Sequence, residues 1–149
     1  MVKFCDLNRS LVDKVKALGI QSVCADYFLE ACRTPRSVLM TASNPNFTMG
    51  GGLDYLFEKN YPHVVQFKQA RGGGMERIGN IIFAITVDND YKATPDTIKQ
   101  ALIFALEHVY EGETLLVSGI GTGIGGLLED EFVRIMKEVM ATPTALPAF

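Results

Sequence analysis

Residues 37–55, SVLMTASNPNFTMGGGLDY, decide how this chain folds. Ser37 to Ala42 is a short run of apolar and β-branched side chains and reads as a strand. It runs straight into Asn44-Pro45-Asn46 and Gly50-Gly51-Gly52, a turn-rich stretch. From Gly52 the pattern becomes helical and is expected to hold to Asn60, stopped before Pro62. A strand that hands a glycine-rich turn to a helix N-terminus is one half of a βαβ unit, so a parallel sheet is expected.

Upstream, Val2-Lys3-Phe4-Cys5 reads as a strand. A turn over residues 6–10 then caps a helix over 10–18, with Leu11, Val15 and Leu18 on one face and Gly19 closing it. Residues 22–25 form a second strand that ends at Asp26, and a loop containing Pro35 leads to the third. Downstream, residues 64–79, with Arg71-Gly72-Gly73-Gly74, read as irregular, with residues 71–75 a candidate lid. Residues 80–87 read as a strand. Thr94-Pro95-Asp96 opens a helix running to Tyr110, with proline in its first turn. Residues 114–118 are the last strand, 119–126 a second glycine loop, 127–140 a helix, and 141–149 an extended tail with Pro143 and Pro147. The expectation is a three-layer α/β/α domain over residues 1–140 with a largely parallel central sheet.

A chain of 149 residues suffices for one such domain and is short for two. The net charge of −3 and the lack of a basic stripe argue against duplex nucleic acid as a partner. They leave nucleotides open, because backbone N–H groups can hold phosphates without lysine or arginine. Cys5, Cys24 and Cys32 lack CxxC spacing, and His63 and His108 are the only histidines. No metal site and no cofactor are expected, and the cysteines read as reduced thiols. Without a signal-like segment or an apolar run near 18 residues, a soluble cytoplasmic protein with no membrane partner is expected.

Both glycine loops leave the carboxyl end of a strand and feed a helix. That arrangement offers unpaired N–H groups and a positive dipole end to an anion. Two of them in one small domain suggest a diphosphate clamped from both sides; the plain alternative is that the glycines only make tight turns. Gly121-Thr122-Gly123-Ile124-Gly125-Gly126 matches GxGxxG, but the further strand and acidic residue of a dinucleotide-binding unit do not follow it. Neither loop has the Gly-Lys-Ser/Thr of a Walker A motif.

Residues 37–55 resemble the macro-domain signature: a strand, an Asn-Ala-Ala-Asn-like turn and a Gly-Gly-Gly helix start. Residues 115–128, LLVSGIGTGIGGLL, resemble that family's second loop, and Val23-Cys24-Ala25-Asp26 its Gly-Asp at the ligand site. The resemblance spans residues 23–139. It implies binding of ADP-ribose or an ADP-ribosylated molecule. Asp26, with Tyr27 beside it, would meet adenine, the carboxylate accepting from the amino group. Asn44 would touch the distal ribose, Gly50, Gly51 and Gly52 would pack under it, and Gly121, Thr122, Gly123, Ile124 and Gly125 would wrap the diphosphate. The chain departs from the family in having Thr41 for the first Asn, Ala25 for Gly, and Gly125 where an aromatic commonly packs on the distal ribose, which would leave that end open. Macro domains also end in a further strand carrying a Tyr-Asp-like pair over adenine, followed by a helix. Here the strand, Cys-Asp and helix of residues 2–18 stand first, as in a circular permutation. The first strand should then lie beside the strand of residues 114–118, with Asp6, Leu7 and Asn8 at the adenine end.

Asp54 in Gly-Leu-Asp is similar to the Gly-Val-Asp of macro-domain ADP-ribosyl hydrolases, which implies, with Asn44, a catalytic pair at the distal ribose. A carboxylate there could position or deprotonate water; an Asp in a first helical turn is also favoured by the dipole alone. The adjacent glutamates of poly(ADP-ribose) glycohydrolases are missing. Two classes stay open: a hydrolase acting on an ADP-ribosyl bond or on ADP-ribose 1″-phosphate, and a non-enzymatic module that senses or sequesters such nucleotides. A scaffold for an unrelated phosphorylated ligand is a third. His63, next to Pro62, reads as a surface residue.

Overall fold

Alternate residues of the central strands enter two different cores. In the computed structural model, which describes residues 1–141, Phe4, Val38, Met40, Ile82, Leu115 and Val117 point to one side of the sheet. Cys5, Leu39, Ile81, Phe83 and Leu116 point to the other. Strands buried on both faces read as continuous apolar runs, as these do. The strands are β1 (Val2–Asp6), β2 (Gln21–Cys24), β3 (Ser37–Met40), β4 (Glu76–Ile78), β5 (Ile81–Phe83) and β6 (Thr114–Val117). They form one sheet in the order β2-β1-β6-β3-β5-β4, parallel except for β4 at the edge.

Helices α1 (Arg9–Lys16), α5 (Pro95–Glu107) and α6 (Glu129–Ala141) cover the first face through Leu11, Val15, Ile98, Leu102, Phe132 and Met136. Helices α2 (Tyr27–Arg33), α3 (Gly52–Asn60) and α4 (Pro62–Arg71) cover the second through Tyr27, Ala31, Phe57 and Val65. The fold is therefore α/β in three layers. β1 pairs in parallel with both β2 and β6, so the first strand does lie beside the last. No helix among the described residues is long and apolar enough to cross a membrane.

Three segments differ from the sequence expectation. The loop expected after Asp26 holds α2, which Asp26 caps by accepting from the N–H groups of Phe28 and Leu29, each at 3.0 Å. Seven residues carry too little periodicity to announce a helix. The irregular stretch expected over 64–79 holds α4 and β4. Only Val65 and Lys68 of α4 are buried, so its apolar face is thin and includes a lysine. Lys68, 1 % exposed, donates to Gly72 O, Gly74 O and Glu76 Oε1 at 2.9, 2.6 and 2.8 Å, and its ammonium lies over the Phe47 ring. Its three donors are thereby satisfied, and residues 71–75 are tied to α4 and do not line the cleft described below. The strand expected over 80–87 is regular only through Phe83, with one further parallel bridge, Ser43 to Ile85. Of the tail expected over 141–149, Ala141 ends α6 and the remainder lies outside the described residues.

Tyr27 shapes the centre of the sheet. The β3–β6 ladder ends at Leu39 and Leu116. At that point the buried Tyr27 hydroxyl accepts from Met40 N–H at 3.0 Å and donates to Leu116 O at 2.7 Å. Removing it strands two buried backbone groups. Tyr27→Phe is expected to lower stability by about 1–3 kcal/mol in urea unfolding; unchanged stability would show that the bridge contributes nothing.

Candidate functional site

In parallel α/β sheets the carboxyl ends of the strands carry the site. Here the ends of β1, β2, β3, β5 and β6 open into one cleft of about 590 Å³, a size that suits a small organic ligand.

Asn44 builds the first loop. Its Oδ1 accepts from Asn46 N–H and Thr48 N–H, both at 3.2 Å, and its Nδ2 donates to Thr48 Oγ1 at 2.9 Å. Phe47 and Met49 follow with positive φ, 51° and 56°, although neither is glycine. Such conformations cost about 1–3 kcal/mol each and persist only where the surroundings enforce them. Here the enforcement is burial, since both side chains sit in the second core. The chain is thereby delivered to Gly51, which starts α3 without any side-chain cap. The first N–H groups of α3 therefore have no side-chain acceptor among the described residues.

The second loop is held from below. Asp6 Oδ2 accepts from Gly119 N–H at 2.8 Å while its Oδ1 accepts from Asn8 N–H at 2.8 Å. Gly121 O accepts from Leu127 N–H, and Gly125 O from Ala93 N–H. Among the described residues, the N–H groups of Gly121, Gly123, Ile124 and Gly125 have no acceptor. Gly121 has φ 81°, and a Cβ there would lie 2.6 Å from Ile98 Cδ1. The two loops meet at Ile124, whose Cδ1 would lie 3.2 Å from a Cβ on Gly51. The first glycine loop thus leaves room for the second.

The cleft lining contains Asp6, Asp26 and Asp54 and, among the described residues, no lysine, arginine or histidine. An anion bound here would rely on backbone donors. Asp54, 5 % exposed, accepts from Ala42 N–H at 3.0 Å. Burial pushes its carboxyl up to about 6, against the Ser43 hydroxyl and Ala42 N–H, which favour the ionised form. It is both a strut between α3 and the end of β3 and a group able to exchange a proton near neutral pH.

Asp6, Asp26, Tyr27, Asn44, Gly50, Gly51, Gly52, Asp54 and the five residues Gly121, Thr122, Gly123, Ile124 and Gly125 all border this cleft. Asn8 does not: it caps α1 through Leu11 N–H and donates to Glu129 Oε2 at 2.8 Å. Tyr27 borders it, but its hydroxyl is engaged between the strands. His63, in the first turn of α4, is not among the lining residues.

Thr48, Thr86 and Tyr91 also line the cleft and were not expected there. Tyr91 stands in a turn organised by Asp88, with φ 60°, and its hydroxyl is 3.4 Å from Thr48 Oγ1. The aromatic that the resembled family commonly carries at the position of Gly125 could not fit here, because any Cβ there would lie 2.8 Å from Ala93 Cβ and from Gly121 O. Tyr91 brings an aromatic ring to the lining from another loop. The Asp88-Asn89-Asp90 composition signals a turn, but nothing local says which cleft the turn borders. No protein-family model matches this chain, and comparison with curated proteins finds no match.

Proposed function

We propose that the cleft binds ADP-ribose or a closely related ADP-ribosyl nucleotide, free or attached to another molecule, with its diphosphate between the two glycine loops. The observation that carries this reading is the convergence of both loops on one cleft, with the N–H groups of Gly121, Gly123, Ile124 and Gly125 and of the uncapped α3 start without an acceptor among the described residues. The macro-domain resemblance of residues 23–139 points the same way, and β1 beside β6 is the placement that a permuted arrangement of that family requires. In this reading Asp26, whose Oδ1 serves the α2 cap, accepts from the adenine amino group with Oδ2. A cytoplasmic location belongs to the same proposal.

Calorimetric titration tests it. ADP-ribose is expected to bind at micromolar concentration or below, clearly ahead of ADP, AMP and ATP. Absence of binding would overturn the reading, and a preference for ATP would assign the cleft to a different phosphorylated ligand.

Hydrolysis is a second reading, favoured by the buried, upshifted Asp54 in the lining. Release of ADP-ribose from a modified molecule, or of phosphate from ADP-ribose 1″-phosphate, would place the chain among hydrolases. Tight binding without turnover of either would make it a sensing or sequestering module.

A further inference from the structure

Thr86 stands just past β5 on the floor of the cleft, fully buried. Its backbone is committed: the N–H donates to Ser43 O at 2.9 Å, and the carbonyl accepts from Thr97 Oγ1 at 2.7 Å. Its hydroxyl is different. Among the described residues, Thr86 Oγ1 is the buried side-chain polar atom that has no hydrogen-bond partner. The neighbouring buried hydroxyls are paired, Thr41 Oγ1 accepting from Ala84 N–H and lying 2.8 Å from Ser43 Oγ. A buried hydroxyl without a partner destabilises the protein, and valine would fill the same space without that cost. Such a group in a cleft lining calls for a partner from outside the chain.

The sheet order says which part of a ligand that partner would be. Asp26 follows β2 at one side of the sheet and Thr86 follows β5, with β1, β6 and β3 between them. Four strand spacings of about 4.8 Å put the two strand ends roughly 19 Å apart. The second glycine loop follows β6, in the middle. A nucleotide with its base at Asp26 and its diphosphate at residues 121–125 would reach Thr86 only with a group beyond the diphosphate. The Thr86 backbone is also bonded to Ser43, next to Asn44, whose side-chain Oδ1 already accepts twice. A hydroxyl that donates and accepts matches a sugar hydroxyl, which does the same.

We propose that Thr86 is a specificity residue whose Oγ1 hydrogen-bonds a hydroxyl of the sugar beyond the diphosphate. The proposal rests on the reading of the cleft as an ADP-ribosyl site. It is tested by calorimetry with ADP-ribose and ADP on wild type, Thr86→Val and Thr86→Ser, together with thermal unfolding of each protein without ligand. Thr86→Val is expected to bind ADP-ribose about tenfold more weakly, while ADP affinity is unchanged. The ligand-free Thr86→Val protein is expected to melt no lower than wild type, because the group removed has no partner among the described residues. Thr86→Ser is expected to keep most of the affinity. Wild-type affinity for ADP-ribose in Thr86→Val would overturn the proposal and leave the cleft reading standing. Equal losses for ADP and ADP-ribose, or a lowered melting temperature, would overturn it by assigning the hydroxyl to the diphosphate or to the fold. Failure of wild type to bind ADP-ribose would remove both together.

Discussion

Gly125→Ala is expected to lower stability by roughly 1–3 kcal/mol and ADP-ribose affinity by about 10–100-fold. A Cβ at position 125 would lie 2.8 Å from Ala93 Cβ and 2.8 Å from Gly121 O. The second contact is with backbone, which cannot swing aside, and Gly121 O is itself held by Leu127 N–H. Relief therefore means displacing the loop over residues 121–125, and the free N–H groups move with it. Losing one hydrogen bond to a charged diphosphate, worth about 1.5–3 kcal/mol, accounts for the affinity change. Thermal unfolding reads the first effect at roughly 2–4 °C per kcal/mol for a domain of this size, and calorimetry reads the second. Gly123→Ala is the matched control, because a Cβ there meets nothing within 4 Å. It should leave stability unchanged. Equal stability of both variants would show that the loop is not tightly held.

Asp54→Asn is expected to stabilise the protein at pH 8 and to leave it unchanged near pH 4. Burial raises the folded-state carboxyl to about 6, while the unfolded chain has an ordinary Asp value of about 3.9. A raised folded value means that the native state holds the proton more tightly. The stabilising contribution is thus fully present below about 4 and is lost as pH rises through about 6. The difference amounts to about 3 kcal/mol above that window. Asparagine keeps an oxygen to accept from Ala42 N–H and has no charge to desolvate. Urea unfolding of both proteins between pH 4 and pH 8 measures the gap, and parallel curves would show that the carboxyl is not shifted. If the chain is a hydrolase using Asp54 as base, the same variant should lose turnover by about 10²-fold or more while still binding ADP-ribose. A residue that costs stability yet supports turnover is one retained for function.

Much of the frame is legible from local pattern. The runs around Phe4, Val38 and Leu115 are short and apolar on both faces, which is the mark of buried parallel strands. Thr94-Pro95 announces α5 through a capping box, found here between Thr94 and Thr97. α2 and α4 escaped because a seven-residue helix and a helix that buries a lysine give weak periodic signals. The site divides along the same line. The glycine loops are visible because glycine is strongly favoured where φ is positive and a side chain would clash, as at Gly121, where a Cβ would lie 2.6 Å from Ile98 Cδ1. Asn8 was misplaced, since an Asx side chain before a helix serves as a cap as readily as a ligand contact.

Sequence alone determined the α/β alternation, the two glycine loops and the acidic residues at strand ends, because each is written in neighbouring residues. Tertiary structure alone decided that both loops share a cleft lined, among the described residues, by no cationic side chain, that burial raises Asp54, and that the Thr86 hydroxyl has no partner among those residues. Those properties depend on desolvation and on which strand ends lie side by side. Both are set by chain crossings that bring together residues far apart in sequence.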